Sequence, residues 1–76
     1  MIIKDCSTNK IFNVIKIEID GDMFGWDIWY VDEEMEYHHE TTVEVIKPDK
    51  RVDKFIKQIM KFKDCGLYYK FNYTIE

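Results

Sequence analysis

Asp20-Gly21 stands between two runs in which apolar residues recur at alternate positions. Asp-Gly suits the positive φ angles of a type I′ turn, so the pair reads as the tip of a β-hairpin. A two-residue turn there sets Ile17 opposite Phe24, Ile15 opposite Trp26, Asn13 opposite Ile28 and Ile11 opposite Tyr30. Nearly every member of that face is apolar, and a slip of one residue would carry the whole set to the other side. The first half of the chain is therefore expected to form an antiparallel sheet with one buried face.

A second reversal is expected at Asp32-Glu33-Glu34-Met35. It brings Tyr30 to Tyr37, Ile28 to His39, Trp26 to Thr41 and Phe24 to Val43, extending the apolar face over a third strand. Met1 to Cys6 is a candidate N-terminal edge strand, joined through Ser7-Thr8-Asn9-Lys10. Pro48-Asp49 ends the strands and opens a helix, with Asp49 as its N-cap. Val52, Phe55, Ile56, Ile59 and Met60 recur at helical spacing as one apolar stripe, and Gly66 is the stop. Leu67, Tyr69, Phe71, Tyr73 and Ile75 then mark alternate positions of a half-buried final strand. The expected fold is α+β: an antiparallel β-meander, one amphipathic helix packed on one face and a C-terminal strand. In order this is β-β-β-α-β plus the candidate edge strand, as one domain over residues 1–76. At 46% hydrophobic and 16% aromatic, the 76 residues form a folded chain and not a disordered acidic tail. A core this small leaves little stability to spare.

Charge is segregated along the chain. Ten carboxylates and no Lys or Arg lie between Ile17 and Ile46, whereas Lys47 to Lys70 holds eight basic residues against Asp49, Asp53 and Asp64. A net charge of −4 conceals that division. In the expected register the outward face carries Glu18, Asp27, Glu40 and Glu44, with Lys16, Thr42, His38, Trp29, Phe12 and Val14. Asp20 and Asp22 extend it at one end, and Asp32, Glu33, Glu34 and Glu36 at the other. Like charges this close repel by roughly a few tenths of a kcal/mol per exposed pair. Retaining that cost suggests a cationic partner. An aromatic side chain rimmed by acids, as at Trp29, is the anatomy of a binding hot spot.

The helix has the opposite sign. Lys50, Lys54, Lys57 and Lys61, with Arg51 beside them, read as the solvated side of an amphipathic helix. Without interleaved aromatics or a Gly-rich loop they give no direct nucleic-acid signature.

Chemistry has few candidates. His38 and His39 are adjacent, so on a strand they point to opposite faces and do not share an ion. Glu36, His38 and Glu40 fall on one face and could meet a zinc-like ion. Asp20-Gly21-Asp22 lacks the further ligands of an EF-hand loop. Cys6 and Cys65 have no metal spacing and read as reduced thiols of a cytoplasmic protein. No apolar run is long enough for a signal peptide or a bilayer span. The expectation is a protein that is not an enzyme, with no cofactor, no metal and no membrane association.

In its small size, its Asp/Glu clustering over residues 17–46 and its minimal α+β layout, the chain resembles small phage-encoded inhibitors of host defence. Anti-CRISPR proteins and other acidic DNA mimics are the group meant. The resemblance implies that carboxylates stand in for DNA phosphates and occupy a Lys/Arg-lined groove of a nuclease or CRISPR effector. The partner expected is thus a basic nucleic-acid-binding protein. The residues expected to meet it are Glu18, Asp20, Asp22, Asp27, Trp29, Asp32, Glu33, Glu34, Glu36, Glu40 and Glu44. Bacterial toxin-immunity proteins look alike at this level. A small-ligand or nucleotide-binding module using the basic helix stripe is the alternative from another class.

Overall fold

The computed structural model describes residues 1–22, 24–64 and 70–76, the last two helical residues by backbone alone. Its elements are β1 (Ile2–Asp5), β2 (Ile11–Asp22), β3 (Gly25–Asp32), β4 (Tyr37–His39), a 3₁₀ turn (Glu40–Thr42), β5 (Val43–Lys47), α1 (Lys50–Asp64) and β6 (Phe71–Ile75). The strands form one antiparallel sheet in the order β4-β3-β2-β1-β5, with β6 also on β2. This is the expected α+β class, with an antiparallel sheet, one helix and a C-terminal strand. The N-terminal strand forms too, but not as an edge: β1 lies between β2 and β5, because β5 pairs with its free side. Asn9 in its turn adopts φ 60°.

The first hairpin turns three residues later than Asp20-Gly21. Ile17 faces Tyr30, Ile19 faces Ile28 and Asp22 faces Gly25. That register gathers Ile17, Ile19, Ile28 and Tyr30, all at most 5% exposed, into one cluster and leaves Phe24 85% exposed. The shift preserves alternation, so the faces survive although the partners change. Gly21 serves close approach instead of a turn. A Cβ there would lie 2.5 Å from the Gly25 carbonyl oxygen and 2.8 Å from Trp26 Cα.

Two one-residue irregularities overturn other expectations. Val14 faces Asp32 and Lys16 faces Val31, so Ile15 is an extra residue, a β-bulge. Before it Phe12 and Val14 pack on the core; after it Ile17 and Ile19 do. Phe12 and Val14 are therefore not on the outward face, whereas Ile11 and Ile15 are 62% and 42% exposed. The second irregularity is the loop Glu33-Glu34-Met35. Asp32 N–H donates to the Glu36 carbonyl (3.0 Å), Met35 N–H donates to the Asp32 carbonyl (3.0 Å), and Met35 has φ 65°. This matches a three-residue hairpin loop closed by a left-handed residue. One residue more than a two-residue loop pairs Tyr30 with His38 and not with Tyr37. His38 thus turns inward and Tyr37 and His39 outward.

The third strand also stops early. After three residues β4 gives way to the 3₁₀ turn, closed by the Thr42 hydroxyl donating to the His39 carbonyl (2.9 Å). β5 then leaves to pair with β1, setting Val43 against Asp5 and Glu44 against Lys4. The expected pairs Trp26–Thr41 and Phe24–Val43 do not form.

Asp49 caps α1 by accepting from the Arg51 N–H at 2.9 Å. Val52 and Ile59 are buried, Phe55 and Ile56 half-buried, and Met60 is 53% exposed. Phe55 stacks on Tyr73, with ring centroids 4.3 Å apart, and meets Phe71 edge-on. The helix stripe therefore packs on the side of the sheet that carries the odd-numbered residues of β6. Ile3, Ile17, Ile19, Ile28, Tyr30, Val52 and Ile75 make the core. Gly66, Leu67, Tyr69 and Cys65, to which roles were assigned above, lie outside the described residues. Cys6 is exposed, with a free thiol. No helix among the described residues is long and apolar enough to cross a membrane.

Candidate partner-binding face

The outward side of β6, β2, β3 and β4 is a grid fixed by register. One row reads Asn72, Asp20, Asp27, and the next Thr74, Glu18, Trp29, His39. A third reads Lys16, Val31, Tyr37, of which Val31 is fully buried. Asp20 and Asp27 are direct cross-strand partners, and like charges in that position oppose each other. Asp27 is hydrogen-bonded by His39, whose Nε2 lies 3.0 Å from Asp27 Oδ1. His39 Nδ1 accepts from the Thr41 N–H (3.3 Å), which leaves Nε2–H to donate to Asp27. Trp29 meets the His39 ring edge-on at 4.7 Å. Glu18 accepts from the Lys16 ammonium (3.0 Å) and from the Tyr37 hydroxyl (3.2 Å). Among the described residues, nothing donates to the Asp20 carboxylate.

Trp29, Tyr37, Glu18, Asp20 and Asn72 line a groove of about 450 Å³. Asp20 and Asn72 also line a trough of about 540 Å³ that runs on past Asp22 and Asp27 to Lys70 and Phe71. Asp22 uses one carboxylate oxygen to hold the hairpin tip, accepting from the Phe24 N–H at 2.8 Å.

Several expected site residues are elsewhere. Asp32 is 1% exposed and belongs to the interior. Its Oδ2 lies 2.7 Å from His38 Nε2, and its Oδ1 accepts from the Glu34 and Glu36 N–H groups. Asp5 Oδ2 takes the other His38 nitrogen at 3.2 Å, and the Phe12 ring lies 4.6 Å away. Burial alone would lower the His38 pKa, but the bonds to Asp32 and Asp5 outweigh it and raise it. Burial likewise opposes ionisation of Asp32, and the His38 bond with the two loop amides holds it below the ordinary carboxylate range. His38 as imidazolium donates to both acids and ties β1, β3 and β4 together. Glu33 accepts from the Asn13 side-chain amide (2.8 Å), while Glu34 and Glu36 stand exposed at the loop. Glu44 lies on β5, 3.6 Å from Lys4 Nζ, away from the grid. Glu40 opens the 3₁₀ turn, and burial, with the Asp27 charge, raises its pKa.

Glu36, His38 and Glu40, the trio that could have met an ion, are not brought together. Possible ligand atoms of Asp27, His39 and Glu40 lie within 4.8 Å of one another, as do those of Asp32, Glu36 and His38. The His38 ring is already taken on both nitrogens by carboxylates. On α1, Arg51 is committed to Asp49 and to the Glu76 carbonyl, so it does not extend an open basic stripe.

Tyr37 and His39 were not among the residues expected to serve the site. The signal for them was loop length: three residues at 33–35 put both outward. Comparison with protein-family models, with curated proteins and with solved structures finds no match to this chain.

Proposed function

We propose that this protein is a non-enzymatic inhibitor that docks on the basic surface of a nucleic-acid-handling protein, its carboxylates replacing phosphates. The observation that carries the reading is Asp20 opposite Asp27, with Glu18 beside them, around the half-buried Trp29. A marginal domain gains nothing in stability from that juxtaposition, and a cationic surface would relieve it. Electrostatic attraction would speed encounter, and Trp29 would supply short-range affinity. The surface involved is narrower than the charge pattern alone suggests. It comprises Glu18, Asp20, Asp22, Asp27 and Trp29, with Glu33, Glu34 and Glu36 at the far loop. Asp32 and Glu44 are outside it, and Glu40 lies at its rim.

The test is affinity capture from lysate of the native host, with wild type beside an Asp20→Lys/Asp27→Lys double variant. The expected result is a basic nucleic-acid-binding protein that is captured by wild type, lost by the variant and displaced by duplex DNA. Binding should also weaken steeply with salt, since exposed charges are screened over about 8 Å at physiological ionic strength. A partner retained by a correctly folded variant, or indifferent to competing DNA, overturns the reading.

A further inference from the structure

The groove between Trp29 and Tyr37 has a chemistry of its own. Its walls are an indole and a phenol ring, and its rim holds Glu18 and Asp20 on one strand with Asn72 beside them. Residues two apart on a strand stand roughly 6.6 Å from each other on the same face. An aromatic face beside carboxylates attracts a cation, and most strongly a planar one that can also fork hydrogen bonds. The molecule already places a cation at one end. Lys16 Nζ sits 5.7 Å from the Tyr37 ring centroid, 3.5 Å from its hydroxyl and 3.0 Å from Glu18. The Glu18 bond, then Tyr37, holds that ammonium above its ordinary pKa. At the other end Asp20 accepts nothing from the described residues and faces only Asn72 and Asp27 across the strands.

We propose that this groove receives one arginine side chain of the partner. Its guanidinium stacks on Trp29, bonds Asp20 and takes Glu18 in exchange with Lys16. The inference rests on the function proposed above and names the group that the acidic face selects. Lys16 then acts as a built-in competitor: it keeps the groove satisfied in the free protein, and its release accompanies binding. Arginine is preferred to lysine because a guanidinium reaches two carboxylates and an aromatic face together, whereas an ammonium is a point charge.

The test titrates the full chain with Nα-acetylargininamide and with Nα-acetyllysinamide, read by NMR at the Trp29 indole N–H and at backbone amides. The arginine compound should shift Trp29, Glu18, Asp20 and Asn72 saturably, and bind about two- to fivefold tighter than the lysine compound. Trp29→Leu and, separately, Asp20→Asn should each weaken it by about the same factor. Lys16→Gln should strengthen it, whereas Lys10→Gln, an equal charge change in the β1–β2 turn, should leave it unchanged. Asp20→Asn keeps the result interpretable if Trp29→Leu fails to fold. Non-saturating shifts spread over all the acids overturn the proposal, as do equal gains from Lys16→Gln and Lys10→Gln. The two readings separate cleanly. If Asp20→Lys/Asp27→Lys loses the partner while Trp29→Leu keeps both the partner and the arginine shifts, the groove fails and the acidic face stands. If the arginine compound binds as described but the double reversal leaves partner capture intact, the groove stands as a site and the inhibitor reading falls.

Discussion

His38 and His39 are neighbours in sequence and opposites in environment. Each has a carboxylate within 3.0 Å of its Nε2, Asp32 for His38 and Asp27 for His39. The difference lies on the other nitrogen and in burial. His38 has a second carboxylate there, Asp5, and is 7% exposed. His39 accepts a backbone N–H there and lies half-exposed against Trp29. The first arrangement is closed: every polar atom is spent inside the molecule, and it joins three strands. The second is open: Asp27 keeps a rim position and Trp29 keeps a free face. The same residue pair thus serves the fold on one side of β4 and a partner on the other.

The largest expected effect tests the closed side. His38→Ala leaves Asp32 buried without its cation, and breaking a buried pair from one side costs about 3–5 kcal/mol. For a domain of this size that approaches the whole stability. Urea unfolding followed by circular dichroism measures it. A midpoint close to wild type would erase the distinction between the two histidines. Asp5→Asn should cost less than Asp32→Asn, because Asp5 keeps its Ser7 contacts and is partly exposed.

The closed site should also write itself into the pH dependence. The His38 pKa is raised on folding, so its contribution is fully present below its unfolded value of about 6.5 and is lost as pH rises through the folded value. Asp32 is lowered, so its contribution is present above about 3.9 and is lost as pH falls through its folded value. Stability should therefore pass through a maximum between these limits and decline on the alkaline side as His38 deprotonates. In a His38→Gln protein the alkaline decline traceable to this ring should vanish. Urea midpoints measured from mildly acidic to mildly alkaline pH decide it, and an unchanged slope in the variant would mean that the ring is neutral in the fold.

How this pair divides was only half legible in the sequence. Alternation correctly placed Ile17, Ile28 and Tyr30 inside and Glu18, Asp27 and Trp29 outside, because a period of two needs only local information. Asp49 as cap and the alternation of Phe71, Tyr73 and Ile75 were legible for the same reason. What failed were single-residue insertions. The bulge at Ile15 sent Phe12 and Val14 inward, and the third loop residue at Met35 exchanged His38 with His39. Each inverts every face beyond it, and neither carries Gly or Pro to announce it. Gly21 did announce something, but close packing against Gly25 and Trp26, and not a turn. Glu44 was lost to the acidic grid because β5 found its partner in β1, a pairing that no local pattern encodes.

The smallest expected effect on stability belongs to the open side, and there the comparison is sharpest. His39→Ala removes one partly exposed hydrogen bond to Asp27 and an edge contact to Trp29. It should change the unfolding free energy by less than about 1 kcal/mol, the usual range for surface pairs. Its effect should appear in binding. Without His39, Asp27 loses a hydrogen-bond donor, and Trp29 loses the ring that orients it. With His counted as neutral the formal charge is unchanged, so association with a basic partner should keep its rate, while the looser indole should speed dissociation. Surface plasmon resonance on the captured partner separates the two rates. Faster dissociation at an unchanged association rate, in a protein as stable as wild type, is the signature of a side chain that serves the interface. A loss of stability comparable with His38→Ala, or rates identical to wild type, would show that the two histidines do not divide their labour in this way.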